Sequence, residues 1–165
     1  MGTGTGILGI IAAKQSGEVV AMDINPYAIR CAKKNTKRNN VDGKMAFLQG
    51  DLFSPLVDGT KFDLILFNAP YLPSEKGEEN SWLGRAWAGG KSGRDVIERF
   101  ITKAPSHLEK NGEILLLQSN LTSMEKTIED FHRVRLESET VTHLDLPFFE
   151  TLFLIKAGFG ELSIS

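Results

Sequence analysis

The chain has 165 residues, 41% of them hydrophobic and 24% charged, which is ordinary for a soluble globular protein with one core. Its formal charge of −2 offers no basic field for a nucleic-acid backbone, and its one cysteine, Cys31, can form no internal disulfide. The early apolar run 7–13 is far shorter than the roughly 20 residues of a membrane span. We therefore expect a cytoplasmic, single-domain protein over residues 1–165, without a membrane or targeting segment.

The first third of the chain predicts helix, strand, helix and strand. An apolar segment after a glycine-rich opening predicts a short helix that ends at Gly17, and a buried strand follows over 19–22. Asn25 before Pro26 is typical of a helix start. The inward face of this helix is expected to hold Ala28, Cys31 and Ala32. A second strand is predicted over 45–48.

The alternation continues along the rest of the chain. The run 62–67 is almost wholly apolar, which predicts a central parallel strand covered on both faces. Ser92 and Asp95 predict a capping box for a helix that continues to 111–112 with a kink at Pro105. The later elements are a strand, a helix capped by 122–125, and a closing pair of strands: 114–117, 124–131, 134–142 and 146–155.

This order predicts an α/β fold with a doubly wound, mostly parallel sheet. In such folds ligands bind beyond the carboxyl ends of the strands. Three segments follow predicted strands at that edge: Asp23, Asp51 and residues 68–71. A fourth, residues 2–6, opens the chain before a helix. We expect these four loops to line one cleft.

The glycine-rich opening and two aspartates suggest a nucleotide-like cofactor. Gly4, Gly6 and Gly9 match the spacing of a dinucleotide fingerprint, which is a weak signal alone because a tight strand-to-helix turn also uses glycines. Asp23 is placed to accept both hydroxyls of a ribose, and Asp51 to accept from an adenine amino group, although either can be a turn residue. A dinucleotide and an adenosyl cofactor fit this pattern equally well.

The segment Asn68-Ala69-Pro70-Tyr71 discriminates between these cofactors. The side-chain oxygen of Asn68 and the carbonyl of Ala69, held outward by Pro70, are two acceptors for a planar NH2 group, and Tyr71 offers a face to pack on it. Methyl transfer to an amide or an exocyclic amine needs that grip, whereas hydride transfer does not. A simple turn is the alternative interpretation.

Five sequence stretches, GTGTG, MDINPYA, GDL, FNAPY and AWAGGKSGRDVIERF, resemble the class I S-adenosylmethionine-dependent methyltransferases that modify protein glutamine. The chain is most similar to the branch that methylates the Gly-Gly-Gln glutamine of class 1 translation termination factors in archaea and eukaryotes. The resemblance implies S-adenosylmethionine as cofactor, with binding residues Gly2, Thr3, Gly4, Thr5, Gly6, Asp23, Ile24, Asn25, Asp51, Leu52 and Asn68. It implies the catalytic residues Asn68, Ala69, Pro70 and Tyr71, and the substrate-binding residues Tyr71, Trp87, Gly89 and Gly90. The isolated histidines have no metal-site spacing, so we expect no metal.

Two departures from the family pattern stand out. The family has proline where this chain has Ala69, which leaves one backbone angle less fixed. The family's first strand, which ends in an acid, would fall before Met1, so we expect a chain without that strand to be poorly active or unstable.

Other functions stay open at this point. The same four-residue motif serves methylation of exocyclic amines in DNA or RNA, and lysine methylation also occurs in this family. A cofactor-binding scaffold without turnover is the non-enzymatic alternative. The resemblance further implies a small zinc-binding activator protein, for which the strand 45–48, with Phe47 exposed, is our candidate edge.

Overall fold

A computed structural model of the protein describes residues 1–15 and 17–160. The chain forms two compact units, one from Met1 to Val57 and the other from Asp58 onward. The first contains α1 (Ile7–Gln15), β1 (Val19–Asp23), α2 (Pro26–Arg38) and β2 (Met45–Gln49). The second contains β3 (Phe62–Asn68), α3 (Asp95–Lys103), β4 (Leu108–Ser119), α4 (Met124–Arg133), β5 (Glu137–Asp145) and β6 (Thr151–Gly158). That residues 1–165 form one domain stays a prediction.

The first unit is built on a parallel pair of strands. β1 and β2 run side by side from Val19 opposite Met45 to Asp23 opposite Gln49. Apolar side chains of α1, of both strands and of the segment between α2 and β2 form the core of this unit: Ile10, Ala13, Ala21, Val41 and Met45. Gly9 permits this packing, because a Cβ there would lie 2.7 Å from the Cε of Met45.

The predicted start of α2 is confirmed, whereas the prediction of its buried face was partly wrong. The Asn25 side chain accepts a hydrogen bond from the Tyr27 N–H at 2.9 Å, as an N-cap does. The buried positions of α2 are Ile29, Ala32 and Thr36, and Cys31 is exposed. The prediction was wrong for Cys31 because helical periodicity turns its position away from the side that carries Ala32 and Thr36.

Phe47 on β2 is half-buried, so the prediction of an exposed side chain there was wrong. Its ring packs against the core of the first unit. The Lys33 ammonium lies 5.7 Å from the ring centroid. A covering cation and a neighbouring core therefore take up most of the surface that we expected to be open.

The second unit contains a four-stranded sheet in the order β3-β4-β6-β5. β3 is parallel to β4, and β6 is antiparallel to both of its neighbours. The two parallel pairs, β1 with β2 and β3 with β4, together with the helices, confirm the α/β class. The closing pair of strands predicted over 134–142 and 146–155 is confirmed as β5 and β6 with shifted bounds.

β3 is less covered than its apolar sequence predicted. Ile65 and Phe67 are buried, and the Phe67 ring lies 4.7 Å from that of Phe100 on α3. Leu64 is 46% exposed, and within the described ranges 1–15 and 17–160 the strand pairs only with β4. The prediction of a central strand covered on both faces was therefore wrong for this structure, because an apolar run does not specify what lies against each face.

Two predictions about the ends of α3 were wrong, whereas the predicted capping segment 122–125 of the last helix is confirmed. α3 begins at Asp95, and the Ser92 side chain accepts only from the Arg94 N–H, at 3.4 Å, so there is no capping box. α3 ends at Lys103 and a 3₁₀ turn follows, because Pro105 has no N–H to continue the helix. β4 therefore begins at Leu108 and runs through 111–112. The N-cap of α4 is Ser123, whose hydroxyl accepts from the Lys126 N–H at 3.4 Å.

Candidate functional site

The glycine-rich opening of the first unit is a tight loop held to the end of β1. The Thr3 N–H donates to the Met22 carbonyl at 2.8 Å. Gly2, Gly4 and Gly6 all have positive φ, between 53° and 89°, which is a conformation that favours glycine. A Cβ at Gly6 would lie 3.1 Å from that of Ala32, whereas one at Gly4 would meet nothing within 4 Å. The loop is therefore packed at Gly6 and open at Gly4.

Asp23 holds this loop from the carboxyl end of β1. One carboxylate oxygen accepts the Gly4 N–H at 2.9 Å, and the other accepts the Asn25 N–H at 2.9 Å. Ile24, between Asp23 and Asn25 in the chain, is half-buried. A carboxylate oxygen can accept more than one hydrogen bond, so Asp23 can organise the loop and still bind hydroxyl groups.

Asp51 and Leu52 follow β2 in the same unit. The Gly50 N–H donates to the Asp23 carbonyl at 3.0 Å, which joins the segment after β2 to the end of β1. The Asp51 N–H donates to the Ser54 hydroxyl at 3.1 Å, and Leu52 has a φ of 48°. The structure thus brings the predicted cofactor residues of the first unit to the carboxyl end of its two strands.

In the second unit, Asn68 ends β3 opposite Leu117 of β4 and is exposed. Its carboxamide makes no side-chain hydrogen bond with any residue of 1–15 or 17–160. Ala69 is 4% exposed and its N–H donates to the Leu117 carbonyl at 3.4 Å. Asn68 is therefore held on a fixed backbone, and no described residue hydrogen-bonds its amide group.

Tyr71 is half-buried, two residues after Ala69. Burial, and then the negative charge of Glu150, raise the pKa of its hydroxyl above the ordinary value of 10.0. The phenol is neutral at physiological pH and offers an uncharged face beside Pro70.

The residues that directly follow the motif 68–71 pair with residues 87–90, mainly through backbone hydrogen bonds. The Leu72 N–H donates to the Trp87 carbonyl at 3.0 Å, and the Gly89 N–H donates back to Leu72 at 2.9 Å. The Ser74 N–H donates to the Gly90 carbonyl at 2.9 Å, and the Ser74 hydroxyl accepts the Gly90 N–H at 3.1 Å. We call this pairing of residues 72–74 with residues 87–90 the clamp. It fixes the chain directly after Tyr71.

Arg94 is a residue that sequence analysis missed. It is 2% exposed, and its Nη1 donates to the carbonyls of Thr122 and Ser123 and to the hydroxyl of Thr127. Its Nη2 lies 2.7 Å from a carboxylate oxygen of Asp130 on α4. A cation directly before the start of a helix is unfavourable for the helix dipole, and this position was the available signal of a tertiary role.

Glu150, directly before β6, is the second residue that sequence analysis missed. Its charge acts on Tyr71, and one of its carboxylate oxygens is buried. A single acid before the apolar run of β6 was the available signal.

The site residues therefore fall into two groups. The first unit contains the cofactor residues Gly2, Thr3, Gly4, Thr5, Gly6, Asp23, Ile24, Asn25, Asp51 and Leu52. The second unit contains Asn68, Ala69, Pro70, Tyr71, Trp87, Gly89 and Gly90. That the four loops line one cleft stays a prediction. In the described ranges 1–15 and 17–160, His, Cys, Asp and Glu form no cluster that could hold a metal ion. None of the helices in these ranges is long and apolar enough to cross a bilayer.

Comparisons with known proteins identify relatives of this chain. The family model of the Methyltransferase small domain matches residues 1–83. A provisionally named protein N5-glutamine methyltransferase of Methanocaldococcus jannaschii is 42% identical over 159 residues, which cover 95% of this chain and 78% of that protein. A release factor glutamine methyltransferase of Aquifex aeolicus is 34% identical over 128 residues, 70% of this chain and 43% of that enzyme. The chain thus spans less than half the length of this bacterial relative.

A solved structure shares the fold. A chain of the E. cuniculi Mtq2–Trm112 complex, which is responsible for methylation of the eRF1 translation termination factor, matches with a TM-score of 0.73. The match covers 96% of this chain and 81% of that chain at 20% identity. The fold is that of the class I S-adenosylmethionine-dependent methyltransferases, a mixed α/β fold with a mostly parallel sheet.

Proposed function

This chain belongs to the Methyltransferase small domain family, and from that premise we propose that it methylates the side-chain amide nitrogen of a glutamine in a protein, with S-adenosylmethionine as methyl donor. The substrate that we propose is a class 1 translation termination factor, in line with the names of the relatives. The observation that carries the proposal is the exposed side chain of Asn68 on a fixed backbone, followed by Tyr71, after which the clamp holds the chain.

The first unit fits the cofactor. The open space at Gly4 and the positive φ angles of Gly2, Gly4 and Gly6 allow a ligand to approach the loop backbone of residues 2–6. We assign Asp23 as the acceptor for the ribose hydroxyls. Ile24 and Asn25 follow it at the end of β1, and the Asn25 N–H donates to its carboxylate. Asp51, with Leu52 beside it, is our acceptor for the adenine amino group. Bound S-adenosylmethionine supplies a methyl group activated by its sulfonium.

The second unit fits the substrate amide. A primary amide carries two N–H protons, and the motif offers two acceptors, the side-chain oxygen of Asn68 and the carbonyl of Ala69. Pro70 fixes the chain between them and Tyr71, whose neutral ring packs on the amide plane. Asn68, which the family resemblance also assigns to cofactor binding, aims the nitrogen by holding its protons.

The amide needs orientation more than a strong base. Its nitrogen lone pair is delocalised into the carbonyl, so the N–H acceptors must hold the nitrogen at the angle of in-line attack. As the nitrogen–methyl bond forms, the sulfur–methyl bond would break and the donor would leave as a neutral thioether, and the methylated nitrogen would then give one proton to water. Asn68 and Ala69 also stabilise the positive charge that develops on the nitrogen.

The surface that we propose for contact with the substrate protein consists of Trp87, Gly89 and Gly90. Trp87 is 37% exposed, which leaves part of its ring for an incoming chain. Gly89 has no space for a Cβ, because that atom would lie 2.4 Å from the Gly93 carbonyl. For the small zinc-binding activator we propose the edge of β2 that faces away from β1, which pairs with no other strand within residues 1–15 and 17–160.

Methyl transfer from labelled S-adenosylmethionine tests the proposal. The chain is assayed with a purified class 1 termination factor, with and without the activator protein, and with a DNA or RNA oligonucleotide and a lysine-containing protein as competing substrates. We expect label on the glutamine of the factor and none on a factor with glutamine replaced by alanine. Label on nucleic acid or on lysine would contradict the proposal, as would cofactor binding without any transfer.

Replacing Asn68 tests the proposed mechanism. Asn68→Ala removes one of the two amide acceptors, and we expect the rate to fall on the order of a hundredfold while the Kd for S-adenosylmethionine changes little. Asn111→Ala, an exposed asparagine of the same unit, is the matched control and should keep the wild-type rate. Equal turnover of Asn68→Ala and wild type would remove the assignment.

A further inference from the structure

Two neighbouring phenylalanines in the second unit lie almost entirely in solvent. Phe148 is 97% exposed and Phe149 is 98% exposed, in the loop of residues 146–150 that joins β5 to β6. Within residues 1–15 and 17–160, the next most exposed large apolar side chain is Val57, at 78%. An exposed phenylalanine forgoes the favourable burial of its ring, and patches of such side chains mark interaction sites. We call Phe148 and Phe149 the phenylalanine pair.

The backbone of the phenylalanine pair is strained. Phe148 has a φ of 66° and Phe149 a φ of 64°, in the left-handed region that is unfavourable for a bulky side chain. In the part of the chain that the structure describes, they are the only two consecutive residues with positive φ. Glycine or asparagine would adopt this backbone more easily, so the two rings are kept at a cost in stability. Strain of this kind is typical of functional sites.

Hydrogen bonds fix the loop on both sides of the phenylalanine pair. The Leu146 N–H donates to the Glu150 carbonyl at 2.7 Å, which closes the loop between β5 and β6. The Asn120 Nδ2 donates to the Phe149 carbonyl at 3.1 Å, and its Oδ1 accepts the Thr151 N–H at 3.1 Å. The pair therefore stands on a backbone that is ordered before a partner arrives, which lowers the entropy cost of binding.

The loop lies at the same edge of the sheet as the proposed amide grip of residues 68–71. Asn120 directly follows β4, and Asn68 ends the neighbouring strand β3. β6 begins on the other side of β4, so two strand spacings, or roughly 10 Å, separate β3 from β6. After burial, the charge of Glu150 is the second cause that raises the pKa of Tyr71, in agreement with this proximity. One bound protein can therefore contact the amide grip and the phenylalanine pair together.

The partner follows from the proposed function, on which this inference rests. The glutamine of a substrate protein has to reach Asn68, so neighbouring residues of that protein come to this edge of the sheet. Tyr71 and Trp87 add two partly exposed aromatic side chains to the same unit, and aromatic residues are enriched at the centres of protein interfaces. We propose that the phenylalanine pair docks onto an apolar patch of the termination factor beside its glutamine, without touching the reacting amide.

The double variant Phe148→Asn with Phe149→Asn separates docking from a structural role. Asparagine adopts positive φ more readily than phenylalanine, and the exposed rings contribute little burial, so the free protein should melt at the same temperature or higher. Loss of both rings should raise the KM and the Kd for the termination factor about tenfold or more, with kcat and the KM for S-adenosylmethionine little changed. A purely structural pair would give a lower melting temperature and an unchanged KM, which would contradict the proposal.

Phe159→Asn is the matched control. Phe159 directly follows β6, at the end of that strand opposite to the phenylalanine pair, and is 39% exposed. Its replacement should leave the KM and the Kd for the factor unchanged, which separates a specific contact from a general loss of exposed apolar surface. An equal rise of the KM in Phe159→Asn and in the double variant would overturn the inference.

The assays use the full chain, the purified termination factor, and fluorescence anisotropy of the labelled factor as a binding readout besides turnover. A wild type that methylates glutamine while the double variant keeps the wild-type KM and Kd overturns this inference alone. A wild type that neither binds nor methylates the factor overturns the proposed function instead. Sedimentation velocity tests the other occupant, a second copy of this chain. A wild-type dimer that becomes monomeric in the double variant, with an unchanged KM, would also overturn the inference.

Discussion

Gly93 sits where a side chain has no room. It has a φ of 74°, and a Cβ built there would lie 2.4 Å from the Tyr71 carbonyl oxygen and 2.6 Å from the Cγ2 of Thr122. The first of these neighbours is backbone and cannot rotate away. The fit of Gly93 therefore fixes the position of Tyr71, which the proposed amide grip uses.

Gly93→Ala tests this close approach. A left-handed alanine and the forced contact with Tyr71 together should lower the free energy of unfolding by about 3 kcal/mol, measured by urea denaturation. Gly59→Ala is the matched control, because Gly59 has a φ of 83° and nothing within 4 Å of its Cβ position. It should lose only about 1 kcal/mol. Equal losses at the two positions would mean that the contact with Tyr71 is not tight.

At the scale of elements, Arg94 joins α3 to α4. Its guanidinium contacts the carbonyls before α4, the Thr127 hydroxyl and Asp130, and its Nε lies 3.0 Å from Glu98 one turn along α3. Removing the cation would leave Asp130, with 15% of its side chain exposed, without its buried partner, and only the exposed Arg133 would remain beside it. A buried ion is most costly when it loses its counter-charge.

Arg94→Ala should destabilise the second unit by about 3 kcal/mol or more, seen as a lower melting temperature or urea midpoint. Arg133→Ala is the control. Arg133 also lies 2.7 Å from Asp130, but 73% of its side chain is exposed, and its loss should change stability by less than about 1 kcal/mol. A larger effect at Arg133 than at Arg94 would contradict this account.

Local sequence patterns predicted the elements well where side-chain periodicity determines them. They predicted them poorly where the backbone conformation or a distant contact determines where an element begins or ends. The N-cap at Asn25 and the strands β1 and β2 follow from neighbouring residues alone. The capping box at Ser92 failed because the next residue, Gly93, has a φ of 74° and cannot start a helix. Leu108 keeps helical spacing with Ala104 and Ile101, so only the geometry of Pro105 reveals that the helix has ended.

The candidate site divides in the same way. The motif of residues 68–71 and the segment of residues 87–90 are visible as residue types, so the sequence predicted both. The clamp that joins them consists mostly of backbone hydrogen bonds, which every residue type can make and no composition predicts. The roles of Arg94 and Glu150 depend on residues that are distant along the chain. Arg94, for example, contacts Thr122, which is 28 residues away. Such contacts leave no local pattern.

At the scale of the whole molecule, the two units differ in how completely their strands are paired. In the second unit, β4 and β6 each have a partner on both sides, whereas β1 and β2 of the first unit have only each other within residues 1–15 and 17–160. Strands paired on both sides open less often than strands at an edge. The first unit, which carries the proposed cofactor loop, is therefore the part whose stability a ligand can change most.

Hydrogen exchange with and without S-adenosylmethionine measures this difference. A ligand that binds only the native state at 100 times its Kd adds about 2.7 kcal/mol, so exchange at the amides of Gly4 and Asn25 should slow about a hundredfold. The amides of β6 serve as an internal reference and should change much less. Asp23→Ala removes the acceptor of both N–H groups and of the ribose, and should abolish the added protection, whereas the exposed control Asp42→Ala should keep it. Equal protection in Asp23→Ala and wild type would show that the cofactor binds without the carboxylate at the end of β1.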